Sequence, residues 1–454
     1  MAQRAHWKSK AGFVLAAAGS AVGLGNIWKF PYETGENGGG IFVIVYLLCV
    51  LLVGLPVMTA EILLGRAAQC SPVGAMRKLA GRRSGWVTFG WLGVASSFLI
   101  LSYYSVVAGW SLHYTWLAVR GGINGLGTEA TKAIYMELFG NPWLNVGWHF
   151  VFMTMTMAVV AAGVSKGVER WSVILMPALF AMLGGLLVRA MTLDGFGPAV
   201  DFVFGFHAED FGRRGVLEAL GQAFFSLSLG MGAILTYGSY LKREDDIMSS
   251  AITISALDTG IAIAAAMVLF PIIFTHGMEP AAGPGLVFIT IPVAISQLPA
   301  GGFLMMVFFA LLVVAALTSA ISMLEVATSY FVDERNWPRP RATLMAGGAI
   351  TLVGIPSALS GSVWFFGSSM VSAIGMNWFD ALGYLTNNFM LPLGGLGIAL
   401  FTAWRLDDAI RHDHFLSGTK LGIFYRGWLF LLKFVVPVAI VFVFLDSIGM
   451  LRGD

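Results

Sequence analysis

Charge is what this sequence has little of. Only 11% of its 454 residues are Asp, Glu, Lys or Arg, against 57% hydrophobic, whereas a soluble domain carries about 25% charged residues. That scarcity excludes an ordinary soluble globule and points to a polytopic membrane protein. Cysteine is scarcer still: Cys49 and Cys70 are the two present, and neither position suggests a disulfide or a metal site. The seven histidines are scattered without zinc-ligand spacing. No Gly-Lys-Ser/Thr follows Gly38-Gly39-Gly40, so that run is not a phosphate cradle, and with no ATPase machinery any active transport must draw on an ion gradient. Basic residues trail the ends of apolar segments and form no continuous face, which leaves a nucleic-acid role without support. Nor does any nucleophile–base constellation mark an enzyme.

Long apolar runs, by contrast, are abundant. About eleven reach spanning length, at 11–34, 41–65, 86–119, 147–164, 171–192, 216–241, 248–275, 303–332, 342–359, 372–403 and 423–447. The stretch 280–300 is apolar but interrupted by Pro280, Pro284, Pro292 and Pro299, and reads as a hairpin dipping into an extracellular vestibule. No cleavable signal peptide is evident, since the basic arm from Arg4 to Lys10 runs straight into the first span. Basic residues concentrate in that arm and in the loops after even-numbered spans, most densely at Arg66, Arg77, Lys78, Arg82 and Arg83; the opposite loops carry few, among them Arg120, Lys132, Arg213 and Arg214. The positive-inside rule then predicts a cytoplasmic N-terminus, and an odd number of spans leaves the C-terminus extracellular or periplasmic.

The first span contains Ala18-Gly19-Ser20-Ala21-Val22-Gly23-Leu24-Gly25-Asn26-Ile27-Trp28. Glycines and an asparagine are poor material for a continuous helix at mid-membrane, and unbonded backbone is tolerated there only beside protein or a watery cavity. A helix broken around a site is the expectation; a glycine-rich contact face is the alternative. A second break is predicted at Leu227-Ser228-Leu229-Gly230-Met231-Gly232-Ala233, and breaks in corresponding halves point to a transporter's binding site. Orphan carbonyls at such breaks suit Na⁺, and orphan amides suit a carboxylate. The first break offers the carbonyls of Gly19, Ala21 and Val22 and the side chain of Asn26. Asp258, inside the seventh span, needs a cation or a hydrogen-bond network. Glu61 is the other buried acid, with a structural role at the broken helices at least as well supported as ion binding. Thr318 and Ser319 either bond back to their own helix or serve as partners for the first break. Tyr104, with Tyr103 beside it, places a phenol at mid-depth, where it needs a hydrogen-bond partner.

With these residues in place, the chain resembles the neurotransmitter:sodium symporter family. The resemblance rests on Gly19-Ser-Ala-Val-Gly-Leu-Gly-Asn26-Ile-Trp-Lys-Phe-Pro31, Glu36-Asn-Gly-Gly-Gly40 and Phe224-Phe-Ser-Leu-Ser-Leu-Gly-Met-Gly-Ala233, and extends over the first ten spans; the length is similar to the bacterial branch. It implies an all-α, LeuT-like fold of five plus five spans with broken helices 1 and 6, in one transmembrane domain over 1–454. The first inverted repeat would cover 11–192 and the second 216–403, with span 11 at 423–447. It implies a location in the cytoplasmic (inner, plasma) membrane and two sodium sites: one of Ala21, Asn26, Ser226, Asp258 and the substrate carboxylate, the other of Gly19, Val22, Ala315, Thr318 and Ser319. The substrate carboxylate would meet the amides of Leu24 and Gly25 and the Tyr104 hydroxyl. Its amino group would meet carbonyls of Ala21 and of Phe225 to Ser228. Its side chain would face Ile100, Phe225, Ser228, Met231, Ser319 and Met323.

Gly23 stands where monoamine carriers of the family have aspartate, which favours a substrate bringing its own carboxylate. Met231 replaces a phenylalanine of some members, and a flexible thioether admits larger side chains. Asp258 would supply the charge that chloride supplies in animal members, so no chloride is expected. Lys29 and Asp380 match an outer gate pair, with Tyr104 and Phe225 as its lid. A lysine in place of the usual arginine forfeits bidentate geometry. Arg4 and Asp333, with Trp7 and Tyr240 beside them, match a cytoplasmic latch. The expected function is sodium-coupled import of hydrophobic and aromatic amino acids within the lipid bilayer. A carrier of an ω-amino acid or osmolyte (GABA, taurine, a betaine) and a non-transporting amino-acid sensor are the alternatives. Protein partners are not predicted.

Overall fold

The structure is a computed structural model that describes residues 5–206, 211–278 and 285–447. Among these residues it is helical, with one isolated antiparallel bridge between Gly39 and Phe206. Eight helices are long and apolar enough to cross a membrane: Gly40–Ala68, Val87–Val119, Pro142–Ala161, Val164–Ala190, Ile247–Thr275, Gly301–Arg335, Trp378–Arg405 and Gly422–Asp446. A bent pair, Lys10–Ala21 with Gly25–Glu36 at 55°, makes a ninth. Two further segments account for the other expected spans: a second interrupted pair, Arg213–Ser226 with Ala233–Gly238, and the more polar Arg339–Ala358. The fifth span begins earlier than its apolar run, because the polar residues of 165–170 continue the helix. In the 280–300 stretch, 279–284 lie outside the described residues. The remainder forms Leu286–Ser296, too short to span, held where the Tyr114 hydroxyl donates to the Phe288 carbonyl at 2.8 Å.

Burial sorts the helices into an inner group and an outer one. In their most apolar windows, 78% of Val87–Val119 and 72% of both Ile247–Thr275 and Gly301–Arg335 is buried, against 28% of Val164–Ala190 and 22% of Gly422–Asp446. The outer helices turn Ile174, Phe430, Phe434 and Val438 outward, as a face toward lipid requires. The first bent span packs against Ile247–Thr275 and Gly301–Arg335, so the breaks lie at the centre of the bundle.

Each break has a local cause and a local tie. Ser9 starts the first helix, its hydroxyl accepting from Gly12 N at 3.0 Å, and Glu169 accepts from the amides of Lys8 (3.0 Å) and Ser9 (3.2 Å). That helix ends where Val22 turns extended (ψ 109°), and helical structure resumes at Gly25. In the second break Ser228, Gly230 and Gly232 all have positive φ (55°, 79° and 76°). Glycine adopts this conformation freely, whereas a serine pays about 1–2 kcal/mol for it. Ser228 is held there as its hydroxyl donates to the Ser20 carbonyl at 2.8 Å, which also ties one break to the other.

Candidate functional site

Asn26, one turn beyond the first break, folds its side chain back toward it. Its Oδ1 accepts from Gly23 N at 3.0 Å, and its Nδ2 donates to Ser226 Oγ (2.9 Å), Asp258 Oδ1 (2.7 Å) and the Asp258 carbonyl (3.2 Å). Ser226, the last residue before the second break, donates to Asp258 Oδ2 at 2.6 Å, and the Tyr46 hydroxyl approaches the same oxygen at 3.5 Å. Asp258 is 0% exposed, and no ion pair among the described residues includes it. A buried carboxylate surrounded by neutral groups keeps its full charge deficit, which costs several kcal/mol unless a cation joins it. Ala21 ends the first half-helix beside this cluster, where terminal carbonyls lack helical donors.

A second group of oxygens lies on the Gly301–Arg335 side of the first break. Ser319 Oγ stands 3.0 Å from the Val22 carbonyl and 3.3 Å from those of Gly19 and Ala315. One hydroxyl has one proton, so Ser319 can donate to only one of these three carbonyls at a time. Thr318 Oγ1 adds a further oxygen, 3.0 Å from the Ala315 carbonyl and 3.2 Å from that of Val314. A set so rich in oxygen is suited to a small hard cation.

A small cavity of about 30 Å³ lies between the two groups. Of the residues the sequence proposed for substrate, its lining includes Ala21, Gly23, Leu24, Gly25, Ile100, Tyr104, Phe225, Ser226, Ser228, Met231, Ser319 and Met323 but not Leu227. Leu24 N donates to the Tyr104 hydroxyl at 3.3 Å. A Cβ on Gly23 would lie 2.9 Å from Ser319 Oγ and 3.0 Å from the Tyr104 hydroxyl, so a side chain there would require those hydroxyls to move. A vestibule of about 210 Å³ adjoins the cavity, and the two share Leu24, Gly25, Tyr104 and Phe225 in their walls.

This arrangement can be set beside known proteins. The profile of the sodium:neurotransmitter symporter family matches residues 4–123 and 139–453. The chain belongs to that family. An uncharacterized sodium-dependent transporter of Bacillus subtilis, YhdH, is 40% identical over 98% of each chain. A similar uncharacterized transporter of Haemophilus influenzae is 33% identical, again over 98% of each. The crystal structure of MhsT in complex with L-phenylalanine has a TM-score of 0.89 at 41% identity, covering 98% of this chain and 100% of the other. This symporter is therefore a sodium-dependent, multi-pass membrane transporter of the LeuT fold, and not an enzyme.

On the vestibule side of the symporter, Lys29 and Asp380 share a wall but form no ion pair. Lys29 Nζ sits 5.8 Å from the centre of the Phe225 ring, and Asp380 accepts instead from Asn377 Nδ2 at 2.7 Å. A lysine point charge lacks the two-pronged reach that would draw them together. On the opposite side, Trp7 is buried: its indole donates to the Tyr237 carbonyl at 2.9 Å and its ring lies edge-on to Tyr237 and Tyr240. Asp333 accepts from Ser71 N at 2.6 Å, while Arg4 lies outside the described residues. One feature of this symporter was not read from its sequence. Tyr240 donates to the buried Glu325 at 2.5 Å, and Glu325 is also paired with Arg339; an acid inside an apolar span was the available signal. Glu61 accepts from Gly230 N at 2.7 Å and Leu235 N at 3.2 Å, a structural tie across the second break.

Proposed function

We propose that this symporter imports hydrophobic and aromatic L-amino acids by alternating access, carrying two sodium ions per substrate and needing no chloride. The observation that carries the reading is the pair of oxygen-rich groups flanking one cavity, one of them anionic. The group of Asn26, Ser226 and Asp258, with Ala21 and the substrate carboxylate, would hold the first ion. Gly19, Val22, Ala315, Thr318 and Ser319 would hold the second. Asp258 supplies a fixed negative charge at the first group, which supports independence from chloride. Gly23 carries no side chain, so an amine has no protein carboxylate to meet there. A substrate with its own carboxylate would meet the Leu24 and Gly25 amides, at the positive end of the second half-helix, and the Tyr104 hydroxyl. Ile100, Phe225, Met231 and Met323 give the rest of the cavity an apolar wall.

The repeats over 11–192 and 216–403 would rock against each other around this site, the N-terminus being cytoplasmic. Sodium would complete the substrate site with the vestibule open. Tyr104 and Phe225 would then close over the substrate with Lys29 and Asp380 above them. Release of Trp7, Tyr240 and Asp333 would follow on the cytoplasmic side. Each positive charge moved through 100 mV supplies about 2.3 kcal/mol, so two ions with a zwitterion supply about 4.6 kcal/mol, roughly a thousandfold accumulation. One ion gives under about a hundredfold on the same scale, which favours two sites in a scavenger of dilute amino acids. The test is uptake of labelled tryptophan and leucine into proteoliposomes under a sodium gradient, with potassium as control. Sodium-dependent uptake of each, blocked by the other, is the expected result. No uptake of either by folded protein would overturn the substrate assignment in favour of an ω-amino acid or osmolyte.

A further inference from the structure

The second break leaves a specific backbone account to settle. In a continuous helix the Met231 carbonyl would accept from Leu235 N. Here Leu235 N turns to Glu61 instead, as does Gly230 N. The Met231 carbonyl takes its hydrogen bond from Ser97 Oγ, at 2.7 Å. Glu61 and Ser97, from two different helices, thus replace the two halves of one missing helical bond. Ser97 is 0% exposed and Met231 5% exposed, so no bulk water stands ready to take over either role.

Ser97 belongs to a face of Val87–Val119 that serves the cavity. Gly93, Ser97, Ile100 and Tyr104 follow helical spacing. A Cβ on Gly93 would rest 3.4 Å from the Met231 carbonyl carbon, and Ile100 and Tyr104 line the cavity beside the Met231 side chain. Ser97 touches neither the cavity nor either oxygen group; it acts through the peptide that carries Met231. We propose that Ser97 is a specificity-determining positioning residue. By fixing the Met231 peptide it sets how far the methionine side chain reaches into the cavity, and so weighs large apolar substrates against small ones. With the peptide held, only the side-chain torsions of Met231 make room for a bulky group. With it released, the whole segment shifts and larger substrates gain.

The inference rests on the reading that the cavity receives an apolar amino acid, and one assay separates the two. Purified full-length protein in saturating sodium binds labelled L-leucine, competed by unlabelled L-tryptophan or L-valine. If none of the three binds wild type, the substrate reading fails. Given binding, Ser97→Ala moves the tryptophan-to-valine affinity ratio about three- to tenfold toward tryptophan, the span expected for one neutral hydrogen bond. Ser97→Thr, which keeps the hydroxyl, stays within about twofold of wild type on the same scale, and the sodium half-saturation is unchanged in both. A purely structural role would weaken both competitors together and leave the ratio fixed. A ratio within twofold of wild type, or one moved toward valine, overturns the inference. If Ser97→Ala does not give a monodisperse protein, Ser97→Cys, similar in size and a weaker donor, is read against the same ratio. Failure of both to fold also overturns it, by assigning the bond to folding.

Discussion

Replacing Asp258 by Asn separates what this carboxylate costs from what it provides. Without a cation, the buried charge is offset only by Asn26, Ser226 and the more distant Tyr46 hydroxyl. A carboxylate at such depth costs about 2.5–3.5 kcal/mol even on the lenient insertion scale. An Asn can keep both close contacts, its oxygen toward Asn26 Nδ2 and its amide toward Ser226 Oγ. The variant is therefore expected to be at least as stable as wild type in sodium-free, choline-balanced buffer. Sodium binding should suffer the opposite change. Close charge pairs measure about 1.5–7 kcal/mol in double-mutant cycles. The lower half of that range, about 2–4 kcal/mol, predicts a sodium requirement raised roughly thirty- to a thousandfold. Thermal unfolding followed by intrinsic fluorescence across a sodium titration reads both effects at once. Wild type should gain stability steeply with sodium, and Asp258→Asn should start as high and gain far less. A variant that is less stable without sodium, yet gains from sodium at wild-type concentrations, would refute the assignment of Asp258 to an ion.

Other perturbations address the remaining parts. Thr318→Val keeps the volume and removes an oxygen from the second group; a hydrogen-bonding partner of a charge is worth about 1.5–3 kcal/mol, so the sodium half-saturation of uptake should rise at least about tenfold. Met231→Phe fills a wall of the cavity at an overpacking cost of about 1–3 kcal/mol, and should weaken tryptophan binding while leaving valine competition near wild type. Replacing external chloride by gluconate should leave uptake unchanged, and loss of uptake would overturn the role given to the Asp258 charge. Glu61→Gln turns an amide donor toward one of two backbone donors, Gly230 N or Leu235 N. The unsatisfied buried group should cost about 1–3 kcal/mol, seen as a lower unfolding midpoint at every sodium concentration.

The residues legible in the sequence share a property: each is anomalous where it stands. Glycines and Asn26 in an apolar run, Asp258 at mid-span, and adjacent hydroxyls at Thr318 and Ser319 all violate what a lipid-spanning helix would choose. The bond pattern found around the breaks is what relieves those violations. Other features stayed open because sequence names a need without naming its partner. Glu61 was conspicuous as a buried acid, but whether it holds an ion or a backbone depends on which helix face meets the second break. The close pairing of Gly40–Ala68 with Ala233–Gly238 decides it. Ser97 gave no signal at all, since a serine in a span commonly bonds to its own helix, as Ser96 does to the Leu92 carbonyl at 2.7 Å. Its neighbour escapes that fate because its face meets a carbonyl stripped of its helical donor. Lys29 and Asp380 show the converse: residue types matched to a gate define a pair, yet the two stand apart in this structure, one over Phe225 and the other on Asn377. Phe225 lines both the vestibule and the cavity. In the proposed cycle, a substrate side chain against Phe225 would act on the same ring that lies beside Lys29. Occupancy of the site and closure of the gate would, in that cycle, be linked through that one aromatic residue.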